Sequence, residues 1–395
     1  MNYLGIDIAK TNHVASLIDG EGKVLVRAIK FTNSNEGFDK LLSALKDYDL
    51  SNIVVSMEAT GSYWLALFSA LVDKGFDVSV FNPFQIKSYR TAYSNRKQKT
   101  DVIDSIIIGD YLRVFGTDKT VLPKDEVLSL RTLTRFRSNL LANIVTAKTQ
   151  IIGILDKVFP EYKQAFYNIF GTTSLALLKE CPTAQDIANI NTRKLANLLS
   201  NNSRGRFGTK EAKVLKELAK NTFGIKFTNN ACSFEIKQLI NQIIFLEEQI
   251  EQTQNEIEII YNKLDSHLLS VPGVGRILAP IILAEIGDIN SFDKPSKLLA
   301  FAGIEPSKNQ SGNKDSTNEK TSKRGSPFLR NAIYNAALTA MKAEPSLRAY
   351  YDKKKAEGKH HTVALIGVCR KLTTIIYYVL KENRDYKSYA EVTSK

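Results

Sequence analysis

Four carboxylates in the early part of the chain fall where isolated acids are costly. Asp7 interrupts NYLGIDIA, whose alternation reads as a β-strand, and Glu58 closes NIVVSMEAT, apolar enough for a buried strand. Asp101 and Asp104 follow in KTDVIDS, at i and i+3 on the opening turn of a helix, so both point the same way. Strand alternation puts Tyr3, Gly5, Asp7 and Ala9 on one face and Leu4, Ile6 and Ile8 on the other. A carboxylate in a sheet interior needs a partner or a cation. Two like charges ~4 Å apart repel by about 4 kcal/mol even at a surface-like dielectric. Four such groups gathered at the carboxyl ends of neighbouring strands suit two Mg²⁺ ions. At a separation of roughly 3.5–4 Å these would clamp the attacking and leaving oxygens of a phosphodiester. Plainer readings exist for each residue. Asp101 could be a helix N-cap with Asp104 at N3, Glu58 could end a strand, and Asp7 could hydrogen-bond locally. The four together, in this order, fit those readings less well. Asp110, further along the helix, reads as a bystander.

A second stretch with chemical potential is GIEPSKNQSGNKDSTNEKTSKRGS, residues 303–326. It has no apolar run and no helical period, yet cations surround its serines: Lys308, Lys314, Lys320, Lys323 and Arg324. It is either a flexible tether or a phosphate-handling loop. The Ser311-Gly312 step is one candidate nucleophile position, with Ser307, Ser316 and Ser322 as alternatives.

Charge favours the second reading. The 395-residue chain carries 54 Lys and Arg against 41 Asp and Glu, a net +13, which fits a polyanionic partner and salt-dependent binding. With 43% hydrophobic and 24% charged residues the composition is globular. There is no run of about 18 apolar residues to span a bilayer. MNYLGIDIAK lacks the pattern of a secretory signal. Three cysteines far apart point to a reducing, cytoplasmic setting, with nucleoid association when bound, and with four scattered histidines they offer no zinc spacing.

The elements that must position these residues fall into three zones. Residues 1–120 read as strand, hairpin (around GEGK), helix, strand, helix, strand, helix: an α/β mixed sheet with helices on its faces. Residues 121–268 carry two long periodic helices, from Glu126 to Pro160 (Leu133, Phe136, Leu140, Ile144, Ala147, Ile151, Leu155) and from Glu235 to His267. The second sets Ile236, Leu239, Ile243, Leu246, Ile250, Ile257, Ile260 and Leu264 at heptad spacing, as for an antiparallel stalk, a dimerising coiled coil or a bundle core. Between them, 161–234 is built of short helical pieces and includes a basic face (Arg204, Arg206, Lys210, Lys213, Lys216, Lys220) suited to nucleic acid. Residues 269–385 are all-α, opening on a helix-hairpin-helix around Pro272-Gly273-Val274-Gly275. There Gly273, Gly275 and Arg276 could meet a phosphate at a helix N-terminus. Two apolar helices follow the serine loop, and 386–395 is a tail.

GIDIAK, MEATGSYW, NPFQIKSYRTA with KTDVIDS, and VPGVGRILA…AFAGIEPSKNQSG together resemble the DEDD transposases of the IS110 and IS1111 insertion-sequence family, over nearly the whole chain. The resemblance implies a RuvC-like, ribonuclease-H-like domain, a helical coiled-coil stalk and a C-terminal transposase domain. It places the family's metal-binding quartet on Asp7, Glu58, Asp101 and Asp104 and its catalytic serine on Ser311. It further implies RNA-guided recombination of target and donor DNA through a 5′-phosphoserine link. An element-encoded noncoding bridge RNA is the guide, and a homo-oligomer (a dimer assembling to a tetramer on DNA) completes the site with parts of two subunits. Gly312 would then allow close backbone approach, and Lys314, Lys320, Lys323 and Arg324 would hold phosphates. The competing readings are a RuvC-like endonuclease or junction resolvase using water, a sugar-kinase-like ATPase, for which the Ala-Lys after Ile8 and the basic charge fit poorly, and a non-enzymatic nucleic-acid scaffold.

Overall fold

The computed structural model describes residues 1–93, 100–116, 119–305, 310–311, 314–315 and 321–388, without the side chains of 310, 311, 314 and 315. It divides into two units, Met1–Leu122 and Pro123–Lys395.

The first unit is the α/β sheet expected from the alternating strands. Its elements are β1 (Asn2–Asp7), β2 (Asn12–Ile18), β3 (Val24–Thr32), α1 (Asn35–Ala44), β4 (Ile53–Glu58), α2 (Trp64–Asp73), β5 (Asp77–Phe81), α3 (Pro83–Tyr93) and α4 (Asp101–Phe115). The strand order is β3-β2-β1-β4-β5, antiparallel across β3, β2 and β1 and parallel across β1, β4 and β5. Leu4, Ile6 and Ile8 face a core closed by Leu41 and Leu45 and by Leu67, Phe68 and Leu71. The other face, with Tyr3, packs Phe81 against Ile86 of α3 and Ile107, Ile108 and Leu112 of α4. Helix α3 is absent from the sequence-derived scheme. Of its residues only Ile86 is buried, which leaves almost no apolar period to read.

The second unit is helical. Helix α5 (Asp125–Val158) leads into five short helices, α6 (Tyr162–Ala165), α7 (Thr172–Glu180), α8 (Ala184–Asn189), α9 (Thr192–Ser203) and α10 (Thr209–Lys220), and the chain returns along α11 (Asn229–Tyr261). The start of α5 and the end of α11 share one core, through Leu130, Ile257 and Tyr261. The far ends share another, in which Ile144 to Val158 meet Ile236 to Leu246 and the small helices, so the pair is antiparallel. Phe136, placed on the apolar stripe by its spacing, is 46% exposed. The second helix stops at Tyr261 rather than His267, although Leu264 continues the period and still packs into the core.

Beyond a short 3₁₀ turn (His267–Ser270) come α12 (Leu278–Ile286), α13 (Pro295–Ala302), the two-residue strands β6 (Gln310–Ser311) and β7 (Lys314–Asp315), α14 (Pro327–Ala343), α15 (Pro345–Ala356) and α16 (His361–Lys381). Helix α16 is, among the described residues, long and apolar enough to cross a membrane, but half of that stretch is buried in the protein. Its Leu365, Val368, Leu372 and Ile376 are fully buried core residues. The three cysteines are free.

Candidate functional site

In the first unit two glycines determine where the acids fall. Helix α4 lies directly on β1: a Cβ at Gly5 would meet Ser105 O at 2.0 Å and Gly109 N at 2.3 Å, and one at Gly109 would meet Gly5 N at 3.1 Å. Hydrogen bonds fix the same helix to its other strands. Ser105 Oγ lies 2.8 Å from Ser16 Oγ, and Ser56 Oγ donates to Ile108 O at 3.0 Å. With α4 seated there, its N-terminal turn reaches the carboxyl end of β1. Asp7 and Glu58 stand one step past Ile6 and Met57, the last pair in the parallel register of β1 and β4. The N-cap is Thr100, whose Oγ1 accepts from Ile103 N at 3.3 Å, so the capping role considered for Asp101 belongs to its neighbour. Asp101 is left exposed, while Asp104 is buried.

The charges of the other three acids are felt at Asp7. Burial first, and then the charges of Asp104, Asp101 and Glu58, push the Asp7 carboxyl up from its usual 3.8 to about 6, against a smaller lowering by Arg90. Arg90, on α3, is the residue that spacing did not disclose: its Nη2 lies 2.8 Å from Asp104 Oδ2. The preceding residue ties the same two helices. Tyr89 OH donates to Asp110 Oδ2 at 2.6 Å while Arg113 Nε donates to Asp110 Oδ1 at 2.8 Å, which gives Asp110 a structural role.

A donor set made of carboxylate oxygens suits a hard divalent cation such as Mg²⁺. Burial raises the Asp7 carboxyl most, and the neighbouring acids add to it a negative charge of the kind such a cation would neutralise. As the side chains stand, no group of three or more His, Cys, Asp or Glu among the described residues is placed to hold a metal ion. Asp104 is meanwhile occupied by Arg90.

Ser311 lies in the second unit. The backbone places it in β6, opposite Lys314 of β7 in an antiparallel pair, an element its polar surroundings did not suggest. Gly312 and Lys320 lie outside the described residues. Lys323, at φ +52°, and Arg324 are exposed on the returning leg.

The helix-hairpin-helix expectation needs correcting. A 3₁₀ turn stands where the first helix was expected. The missing side chain of Gly273 serves packing, since a Cβ there would meet Ala336 O at 2.2 Å and Ala340 N at 2.5 Å on α14. Gly275 and Arg276 face outward. In the small-helix region Arg204, Arg206, Lys210 and Lys213 are exposed, whereas Lys216 Nζ is turned inward onto Ile190 O.

Two transposase family models match the chain. The IS110 DEDD model covers residues 4–160, and that of the IS116/IS110/IS902 family covers 265–352. The first takes in all four acids and Arg90; the second takes in the serine loop. A protein of insertion element IS116 from Streptomyces clavuligerus is 25% identical over 99% of this chain and 97% of its own length. The pilin gene-inverting protein of Moraxella bovis is 24% identical over 97% of each. The transposase for insertion sequence element IS1111A of Coxiella burnetii is 22% identical over 98% and 92%. With the acidic cluster and the serine loop each inside a matched segment, and relatives aligned end to end, the chain belongs to the IS110 family of DEDD transposases.

Proposed function

We propose that this transposase is an RNA-guided DNA recombinase that cuts and rejoins strands through a covalent serine link. The observation that carries the reading is the placing of Asp7 and Glu58 at the adjoining carboxyl ends of the parallel strands β1 and β4, with Asp104 and Asp101 near enough to add to burial in raising the Asp7 carboxyl. Such a concentration of negative charge is what a divalent cation relieves. The strand order β3-β2-β1-β4-β5 supports a ribonuclease-H-like, RuvC-like assignment of the first unit.

Asp7, Glu58, Asp101 and Asp104 would hold the ions, Asp104 exchanging Arg90 for metal. The ions would supply charge neutralisation and help a hydroxyl ionise. Ser311 Oγ attacks the scissile phosphorus. The Oγ–P bond forms, the P–O3′ bond breaks, the serine proton passes to a base and O3′ gains a proton, leaving a 5′-phosphoserine and a free 3′-hydroxyl. Attack of another 3′-hydroxyl on that link reverses the step and joins new ends. Lys314, Lys320, Lys323 and Arg324 hold the phosphates, with Gly312 allowing close approach. Serine loop and acids come from different copies, so the working species is an oligomer. An element-encoded bridge RNA pairs with target and donor DNA. The exposed Arg204, Arg206, Lys210, Lys213, Gly275 and Arg276 line nucleic acid. The Moraxella relative is named for inverting a pilin gene, and inverting a DNA segment requires strands to be cut and rejoined.

The test is a denaturant-resistant protein–DNA adduct formed with Mg²⁺, guide RNA and labelled DNA. It is expected with the native chain and absent for Ser311→Ala and Asp104→Ala. Plain nicks without an adduct, unaffected by Ser311→Ala, would instead establish a water-using endonuclease.

A further inference from the structure

The serine loop is polar, but its base is tightly built. Its two legs pair through the backbone: Ser322 N donates to Glu305 O at 2.9 Å, Lys323 N to Gly303 O at 3.2 Å and Ser326 N to Phe301 O at 2.8 Å. A Cβ at Gly325 would meet Phe301 O at 1.9 Å, so the legs touch with no side chain between them. Ser326, where the loop enters α14, uses its hydroxyl twice. Its Oγ accepts from Leu329 N at 3.1 Å as the helix cap and donates to Glu285 Oε2 at 2.7 Å.

Glu285 lies on α12 and is 2% exposed. Arg135 of α5 grips both its oxygens, Nε to Oε1 at 2.7 Å and Nη2 to Oε2 at 3.0 Å, and its guanidinium lies 5.0 Å from the centre of the Phe328 ring. One turn earlier on α5, Arg131 Nε donates to Ala284 O at 2.8 Å. An apolar residue would fill a buried site on α12 at less cost than a charge that must be desolvated and paired. What the carboxylate adds is directional: it fastens the end of the loop to a long helix through a two-pronged ion pair.

We propose that Glu285, Arg135 and Ser326 form a positioning unit that locks the base of the serine loop to α5, so that Ser311 is presented at a fixed place and angle. The proposal rests on the Ser311 reading above. The three act on Ser311 through the base of its loop, as positioning residues. Their loss therefore slows attack on bound DNA and leaves DNA affinity alone, because a small misplacement of a nucleophile is expensive in rate.

The experiment uses the full chain with Glu285→Gln, Ser326→Ala and Ser326→Thr. Amide exchange is read at Ser322, Lys323 and Ser326 and along α16. DNA affinity and the rate of adduct formation at saturating DNA are measured in parallel. Glu285→Gln and Ser326→Ala should accelerate exchange at the three leg amides, leave α16 protected and slow adduct formation by about tenfold or more with affinity unchanged. Ser326→Thr, which keeps the hydroxyl, should restore both readouts. Unchanged exchange at the legs overturns the proposal, as does an adduct rate within about twofold of the native chain, or a loss of protection shared equally by α16. If Glu285→Gln does not fold, Ser326→Ala decides. If the native chain forms no adduct through Ser311, that reading fails, and the anchoring is judged by the exchange arm alone.

Discussion

Asp7 and Arg90 govern the acidic cluster before any metal is present. The Asp7 carboxyl titrates near 6 in the folded protein against an ordinary 3.8, so between those values the folded chain binds more protons than the unfolded one. Stability therefore falls as pH rises through this window, and the cost is fully present above about 6. Metal-free protein should melt higher near pH 5 than near pH 7.5, with the difference reduced in Asp7→Asn; equal pH profiles for the two proteins would remove this origin. Added Mg²⁺ should raise the melting temperature mainly on the alkaline side. Arg90 supplies the opposite charge to Asp104. Arg90→Gln should destabilise the metal-free protein by up to about 3 kcal/mol, since it removes the cation paired with a buried carboxylate, and calorimetry should find much of that loss recovered with Mg²⁺. The acids were legible because Asp7 and Glu58 break apolar strands and Asp101 and Asp104 share one helical turn. Arg90 was not, because nothing in local spacing links it to Asp104; only the packing of α3 on α4 brings them together.

The fold delivers these residues through the contact of α4 with β1, and Gly5 and Gly109 set its closeness. The two positions are not equivalent. A methyl at Gly5 runs into backbone at 2.0 Å, while one at Gly109 finds its nearest atom at 3.1 Å. Gly5→Ala should therefore cost several kcal/mol, beyond the roughly 1–3 kcal/mol usual for overpacking, or prevent folding, and Gly109→Ala should fall within that range. Urea denaturation of the pair checks the order; Gly109→Ala as the worse of the two would contradict the geometry. Long periodic segments announced themselves in the sequence, as did strands that alternate or run apolar. Helices α3 and α15 did not: α3 buries only Ile86 and α15 only Leu347, so neither carries a stripe. The inner role of Gly273 was equally hidden. A glycine beside Pro272 reads as a turn for an approaching ligand until α14 is seen against it.

Over the whole chain, the net charge of +13 finds an outlet in surfaces such as Arg204, Arg206, Lys210 and Lys213. Arg204→Ala with Lys213→Ala should flatten the plot of log affinity against log salt by up to about 1.8 if each cation holds one phosphate of a duplex; an unaltered slope would exclude that surface. The apolar residues of the second unit divide into separate cores, one carrying the small helices and the other the serine loop's supports. Between them the paired helices turn threonines inward, Thr134 and Thr253, each bonded to the preceding turn of its own helix. The buried apolar residues of the two cores lie on either side of this neck. Seven residues added to each helix there would lengthen the span by about 10 Å with only some 20° of rotation. The basic region and the serine loop could thus be spaced to suit a longer or shorter nucleic acid without rebuilding either end, as a ruler is changed by sliding its scale.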